Sequence, residues 1–231
     1  MTGAAGPDHR AVSFWMSTVD DDLSPRPALP GDREVDVAIV GAGYTGLWTA
    51  YYLSVADPGL RIAVLERRIA GYGASGRNGG WCSALFPTSL PTLARRHGRD
   101  AAVALQHAMH STVDEIGRVV ATEGIDCHWS KGGTVTLARS GDQLARARAA
   151  VAQAREYGFG TDDLRLLDPA EARAHCAASG VVGGTYTPHC AAIHPARLVR
   201  GLARAVQRRG VTIHEQTPVI AIVPAHGRGK A

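Results

Sequence analysis

The apolar positions of this chain change period several times, and each change marks an element. Val35, Val37, Ala38, Ile39 and Val40 form a short β-branched run. Such a run predicts a strand buried on both faces, as in a parallel sheet. It stops at Gly41-Ala42-Gly43-Tyr44-Thr45-Gly46, after which Leu47, Ala50, Tyr51 and Leu53 recur at helical spacing. Pro58-Gly59 breaks that helix, and Ile62, Val64 and Leu65 begin a second strand that ends on Glu66. Farther on, Leu105, Ala108, Met109, Val113, Ile116, Val119 and Val120 give a helical apolar face within residues 91 to 124. Gly98 divides this stretch and Gly124 ends it.

The second half alternates more quickly. Lys131 to Leu137 reads as a hairpin turn followed by an alternating strand. Gln143 to Tyr157 predicts an amphipathic helix, and Asp168-Pro169 opens a short one with an N-cap and a first-turn proline. Val181 to Ile193 is strand-like, interrupted by Gly183, Gly184 and Pro188. A helix from His194 to about Arg209 follows, closed by Gly210. Val211 to His214 and Pro218 to Val223 then read as strands. Residues 1 to 33 are expected to be irregular, because Asp20-Asp21-Asp22 and Pro25, Pro27 and Pro30 oppose regular structure. Phe14 and Trp15 are the residues able to anchor that leader, with a disordered tail as the alternative.

The unit from Glu34 to Arg68 carries a chemical expectation. Gly41 allows a tight turn, Gly43 lets a ligand approach the main chain, and Gly46 lets helix and strand pack closely. The helix amino terminus offers orphan N–H groups and about half a positive charge, which together favour a phosphate without a lysine. Glu66 stands about twenty residues after the last of these glycines, where the dinucleotide fold puts the acid that binds a ribose. The same carboxylate repels a 2′-phosphate and argues against NADP. A glycine-rich turn without a ligand is the plain alternative, and the motif alone does not separate FAD from NAD.

Composition narrows the classes. The chain has 231 residues, 45% of them hydrophobic, and a net charge of +4 from scattered arginines. That length allows a sizeable core. No basic run with interleaved aromatics points to nucleic acid, and no stretch approaches the ~18 apolar residues of a membrane helix. The start has no apolar signal region. Four cysteines, Cys82, Cys127, Cys176 and Cys190, lack CxxC spacing and read as reduced thiols. A soluble, cytoplasmic protein is expected. Among ten histidines, His107 and His110 lie one helical turn apart. Without a third ligand they read as a surface or packed pair, so no metal site is expected.

The next stretch, Gly71 to Trp81, has five glycines among its first ten positions and interleaves Arg77 and Asn78. That composition suits a loop wrapping a polar, planar ligand with its N–H groups. Together, GAGYTG, LERR and GASGRNGG resemble the amino-terminal part of FAD-dependent oxidoreductases of the D-amino-acid oxidase superfamily. The glycine, sarcosine and γ-glutamylputrescine oxidase branch is the most similar. The segment AAIHPARLVRGLARAVQRRGVTIHEQTPV resembles a second hallmark, where a helix returns the chain to the dinucleotide domain.

The resemblance implies an α/β fold: an FAD/NAD(P)-binding Rossmann-like domain with an inserted, incomplete α+β substrate domain. The implied layout is a leader over 1–33, a dinucleotide domain over 34–90 and 191–223, a partial substrate domain over 91–190, and a tail over 224–231. The implied cofactor is FAD. Gly41, Gly43, Tyr44, Thr45, Gly46 and Glu66 would hold it, with Arg67 near the adenosine. Ala74, Ser75, Arg77, Asn78, Gly79 and Gly80 would line the pyrophosphate and flavin, and the Val219 backbone the adenine side. The implied reaction is oxidation of a C–N bond in a small-molecule amine or amino acid by hydride transfer to flavin. No catalytic residue stands out: His128, Trp129 and Tyr186 could line a pocket, and Cys82 could sit near the flavin, but packing roles serve each. Family members are considerably longer, so the expectation is a truncated or frame-shifted product, or half of a split protein whose fold a second chain completes. A non-catalytic remnant or partner subunit and an NAD-dependent dehydrogenase are the competing readings.

Overall fold

The computed structural model of the chain describes residues 8–224, in which two compact units are distinguished. The first seven residues of the expected leader and most of the expected tail lie outside the described residues. The first unit comprises residues 8–79, 123–127 and 194–224, and the second residues 80–122 and 128–193.

The first unit is built on a parallel sheet. Strand β1 (Val37–Val40) leads through the glycine turn into helix α2 (Tyr44–Ala56) and then β2 (Ile62–Leu65). The strand β8 (Thr212–His214) joins the far side of β2, giving the order β1-β2-β8 with all pairs parallel. Register pairs Val37 with Ile62 and Ala63 with Thr212. Helix α7 (Pro195–Arg208) packs on α2 and buries Leu198, Val199, Leu202 and Val206. Its apolar side is therefore the centre of the unit's core, and burial of four such side chains contributes several kcal/mol at about 25 cal/mol per Å².

Three expectations are corrected here. β2 is buried, but β1 alternates, with Val40 57% exposed, because among the described residues β1 has a strand on one side only. The leader is not irregular throughout. A 3-10 turn (His9–Val12) and a short helix α1 (Phe14–Thr18) lie within it. Met16, Val19 and Leu23 are buried against Ile69 and Ala196, so apolar packing outweighs the local turn-forming sequence. Phe14 remains exposed, and Met16, not Phe14, is the apolar anchor. Finally, Pro218 to Val223 forms no strand. Pro218 lacks an N–H, and Ile220, Ile222 and Val223 are largely exposed with no strand beside them among the described residues.

The second unit contains helices α3 (Leu90–His97), α4 (Arg99–Thr122), α5 (Gly141–Glu156) and α6 (Pro169–His175). Gly98, at φ +88°, separates α3 from α4 as expected. Asp168 caps α6 in a reciprocal capping box with Glu171. An antiparallel sheet of β4 (Thr134–Ala138), β6 (Gly183–Thr187) and β5 (Arg165–Leu167) runs in the order β4-β6-β5. A second antiparallel pair joins β3 (Trp81–Ser83) to β7 (Cys190–Ala192). The hairpin expected at Lys131 to Leu137 is absent. Gly133 instead lets β4 run beside β6: a Cβ there would lie 2.4 Å from the Thr187 carbonyl. That close approach is what the glycine permits.

Candidate functional site

The glycine turn of the first unit is held from three sides. Gly41 has φ +96° and donates its N–H to the Leu65 carbonyl at 2.8 Å, tying the turn to the end of β2. Gly43 is the N-cap of α2 and has no side chain with which to cap it. The Ser75 hydroxyl supplies that cap from the next loop, accepting from Tyr44 N at 2.9 Å. Gly46 lies so close to the turn that a Cβ there would sit 2.0 Å from the Gly41 carbonyl. Glu66 Oε2 accepts from Ala42 N at 2.9 Å, and its Oε1 accepts from Arg68 N at 2.8 Å. The carboxylate thus stands at the carboxyl end of β2, directly beside the glycine turn.

The glycine-rich loop folds back on this turn. Gly71 donates to the Ala42 carbonyl at 3.0 Å. Ala74–Gly76 forms a 3-10 turn, after which the Asn78 amide donates to the Ser75 carbonyl at 3.0 Å. Arg77 is exposed and lies over the Tyr72 ring. The leader holds the loop through Trp15, one of the two residues expected to anchor it: Trp15 Nε1 donates to the Asn78 carbonyl at 2.7 Å, and Ser13 Oγ to the Gly76 carbonyl at 3.1 Å.

Gly41, Gly43, Tyr44, Gly46, Glu66 and Ser75 are therefore one connected group. Thr45, Arg67 and Gly79 are exposed beside it, and Ala74 is exposed on the loop. Gly80 begins the second unit, where its carbonyl accepts from Ile193 N. Val219 lies past β8, in the segment without regular structure. The cradle fits a pyrophosphate group: small residues at the turn, a helix amino terminus without its own capping side chain, and a carboxylate one strand away.

A buried ion cluster supports this region. Glu215, fully buried, accepts from Arg26 Nη1, Arg26 N and Ala70 N, each at 2.7 Å. Arg200, 3% exposed, lies 3.9 Å from the same carboxylate and binds Asp21 at 2.8 Å. Burial pulls the Arg26 guanidinium below its usual pKa, opposed by Glu215. Ala70 directly precedes the glycine loop, so the leader, the loop and the end of β8 meet at one carboxylate.

The second unit has its own cavity of about 380 Å³, lined among others by Trp81, His110, Thr134, Asp163, Thr187 and His189. The pocket residues expected from sequence are elsewhere. Trp129 packs against Gly117, Tyr186 stacks on His175, and His128 is exposed. The histidine pair is also rearranged. His110 stacks on His189, ring centroids 3.6 Å apart and 7° between planes, while His107 lies against Phe159. Asp163 Oδ1 is 3.1 Å from His189 Nε2 and 3.4 Å from His110 Nδ1. Burial, with His189 adding to it, holds the His110 pKa down at about 4. Burial also raises Asp163, but the Gly160 N–H and His189 outweigh it and keep that carboxyl low. No sequence pattern links His110, Asp163 and His189, because the three come from separate elements.

The profile of the FAD dependent oxidoreductase family matches residues 36–231. The chain belongs to that family. Probable oxidoreductase OrdL of Haemophilus influenzae is 32% identical over 218 residues, covering 93% of this chain and 49% of that protein. Gamma-glutamylputrescine oxidoreductase of Escherichia coli is 32% identical, covering 91% of this chain and 48% of its own. The chain thus spans about half the length of the curated relatives it matches. Among solved structures, L-amino acid deaminase from Proteus myxofaciens aligns with a TM-score of 0.67 at 22% identity, covering 88% of this chain and 42% of that one. Glycine oxidase from Bacillus cereus aligns with a TM-score of 0.62 at 20% identity, covering 84% and 49%. These likenesses establish the fold: a Rossmann-like α/β unit shared with the family. Among the described residues, no helix is long and apolar enough to cross a membrane.

Proposed function

We propose that the first unit binds FAD, and that the chain supplies the dinucleotide-binding part of an enzyme oxidising a C–N bond in an amine or amino acid. The observation that carries this reading is the connected group at the β1–α2 turn, in which Ser75 and Glu66 converge on the glycines. When bound, FAD supplies the acceptor for a hydride equivalent leaving the carbon beside the nitrogen.

The chain's own residues bind and orient. The backbone at Gly41 and Gly43 admits the pyrophosphate close to the main chain, and the first turn of α2 offsets its charge. The Glu66 carboxylate accepts from the ribose hydroxyls, with Arg67 beside the adenosine. Ala74, Ser75, Arg77, Asn78, Gly79 and Gly80 form the loop along the pyrophosphate and ring, and Val219 offers its backbone to the adenine side. The relatives support an amine-type substrate: one is named for gamma-glutamylputrescine, and solved neighbours for glycine and L-amino acids. The test is the visible spectrum of the purified chain after incubation with FAD or NAD⁺ and gel filtration. Flavin bands that travel with the protein are expected. A colourless chain that retains NAD⁺ would overturn the reading.

A further inference from the structure

We propose that His110, Asp163 and His189 form a binding site for one divalent transition-metal ion of the zinc type, opening on the cavity of the second unit. The site is independent of the flavin reading, since neither its residues nor its test involves FAD. Each of the three residues offers one donor atom, and the three atoms lie within 4.8 Å of one another. Zinc bonds of about 2.0–2.2 Å in a tetrahedron set donors about 3.3 Å apart. The separations from Asp163 Oδ1, 3.1 Å to His189 and 3.4 Å to His110, already bracket that value.

The donor set selects the ion. Two imidazole nitrogens and one carboxylate oxygen suit Zn²⁺, Co²⁺ or Ni²⁺, whereas Ca²⁺ and Mg²⁺ prefer oxygen alone. The donors come from α4, from the segment between α5 and β5, and from the turn between β6 and β7. A second layer fixes two of them. The Gly160 N–H holds Asp163 Oδ2 at 2.8 Å, and the Gln106 amide lies 2.9 Å from His110 Nε2. Turning that amide end for end lets its oxygen accept from Nε2–H, which leaves the Nδ1 lone pair facing Asp163. His189 Nδ1 is buried without a hydrogen-bond partner, so its proton can reside there while Nε2 ligates.

One feature of the ion-free geometry must change. Two rings only 7° from parallel cannot both hold an ion in their planes, so binding tilts one imidazole and breaks the stack. Three protein donors leave at least one position for water or for an oxygen or nitrogen of a small ligand. The cavity walls at Thr134, Thr136 and Trp81 give that ligand room. His107 is excluded, because it is exposed and contributes no donor atom to the group gathered at Asp163.

The untagged full chain, freed of metal with EDTA and desalted, is titrated with ZnCl₂ by calorimetry while imidazole ¹⁵N–¹H spectra are recorded. One ion per chain is expected, with the His110 and His189 resonances shifting and His107 unmoved. CoCl₂ in its place should give visible absorption bands of a low-symmetry site. Asp163→Asn and His189→Ala should each weaken zinc binding by more than 100-fold, and Gln106→Ala by about 10–100-fold. His107→Gln should leave it unchanged. Absence of saturable binding, shifts confined to other histidines, or full affinity in folded Asp163→Asn would each overturn the proposal. If a variant fails to fold, by circular dichroism, the wild-type imidazole spectra alone decide.

Discussion

Replacing Glu215 by Ala removes the carboxylate on which the first unit's ion cluster converges. Arg26, whose side chain is 13% exposed, then loses the anion it bonds, and Arg200, at 3%, loses a second carboxylate 3.9 Å away. Arg200 keeps Asp21, so Arg26 bears most of the loss. Two backbone donors, Arg26 N and Ala70 N, lose their acceptor as well. Breaking a buried pair by deleting one partner costs about 3–5 kcal/mol, and each orphaned buried donor adds about 1–3 kcal/mol before relaxation and water entry reduce the sum. A loss of about 4 kcal/mol is therefore expected, a large share of the 5–15 kcal/mol typical of a domain. By contrast, an exposed pair such as Arg165–Glu171 contributes about 0–1 kcal/mol. Urea unfolding gives the overall loss, and hydrogen exchange locates it, with the Ala70 amide losing protection first. The double variant Arg26→Met with Glu215→Leu should recover the part of the loss due to the unpaired charge, but not the part due to the Arg26 and Ala70 amides. If Glu215→Ala costs no more than Glu171→Ala, the cluster does not hold the leader and loop together, and the reasoning fails.

Three further outcomes follow from the same structure. Gly71→Ala places a Cβ 2.3 Å from Val199 Cγ1 at a φ of +81°, and should cost about 1–3 kcal/mol, read as a fall in Tm. Trp15→Phe removes the bond to the Asn78 carbonyl, worth about 1 kcal/mol, and should speed hydrogen exchange across residues 73–80 by ~5-fold. In EDTA, the second unit should lose stability as pH falls from 6.5 towards about 4. Unfolded His110 takes up a proton near the upper value, but folded His110 only near the lower one. Above that window both states are neutral and nothing is lost; below it the full cost, on the order of 3 kcal/mol, applies. His110→Asn should flatten this dependence in urea midpoints measured at pH 7 and 4.5.

What the sequence disclosed was local. The strand, glycine turn, helix and second strand from Val37 to Leu65 lie within thirty residues, so period and turn chemistry define them. The caps at Asp168 and Gly98 were readable for the same reason. What stayed hidden is long-range. Glu215 looks like a surface acid in a polar stretch, and only the return of the chain beside Arg26 and Ala70 buries it. The Gly132-Gly133 pair resembles a tight turn, but Gly133 serves close approach to β6, a partner some fifty residues away. His110 and His189 stack although nothing in their neighbouring residues connects them. Apolar leader residues were outvoted by adjacent prolines and aspartates, whereas Met16 is 1% exposed in the structure.

The central claim is that the Gly41–Gly46 turn with Glu66 holds the adenosine diphosphate half of FAD. Fluorescence titration of the chain with FAD and with FMN, which lacks the adenylate part of that half, tests it most directly. FAD should bind and FMN should not. Glu66→Ala and Gly43→Val should each lose FAD binding while keeping the far-UV spectrum of the parent. Equal affinity for FMN and FAD, or undiminished FAD binding by folded Gly43→Val, would contradict the account.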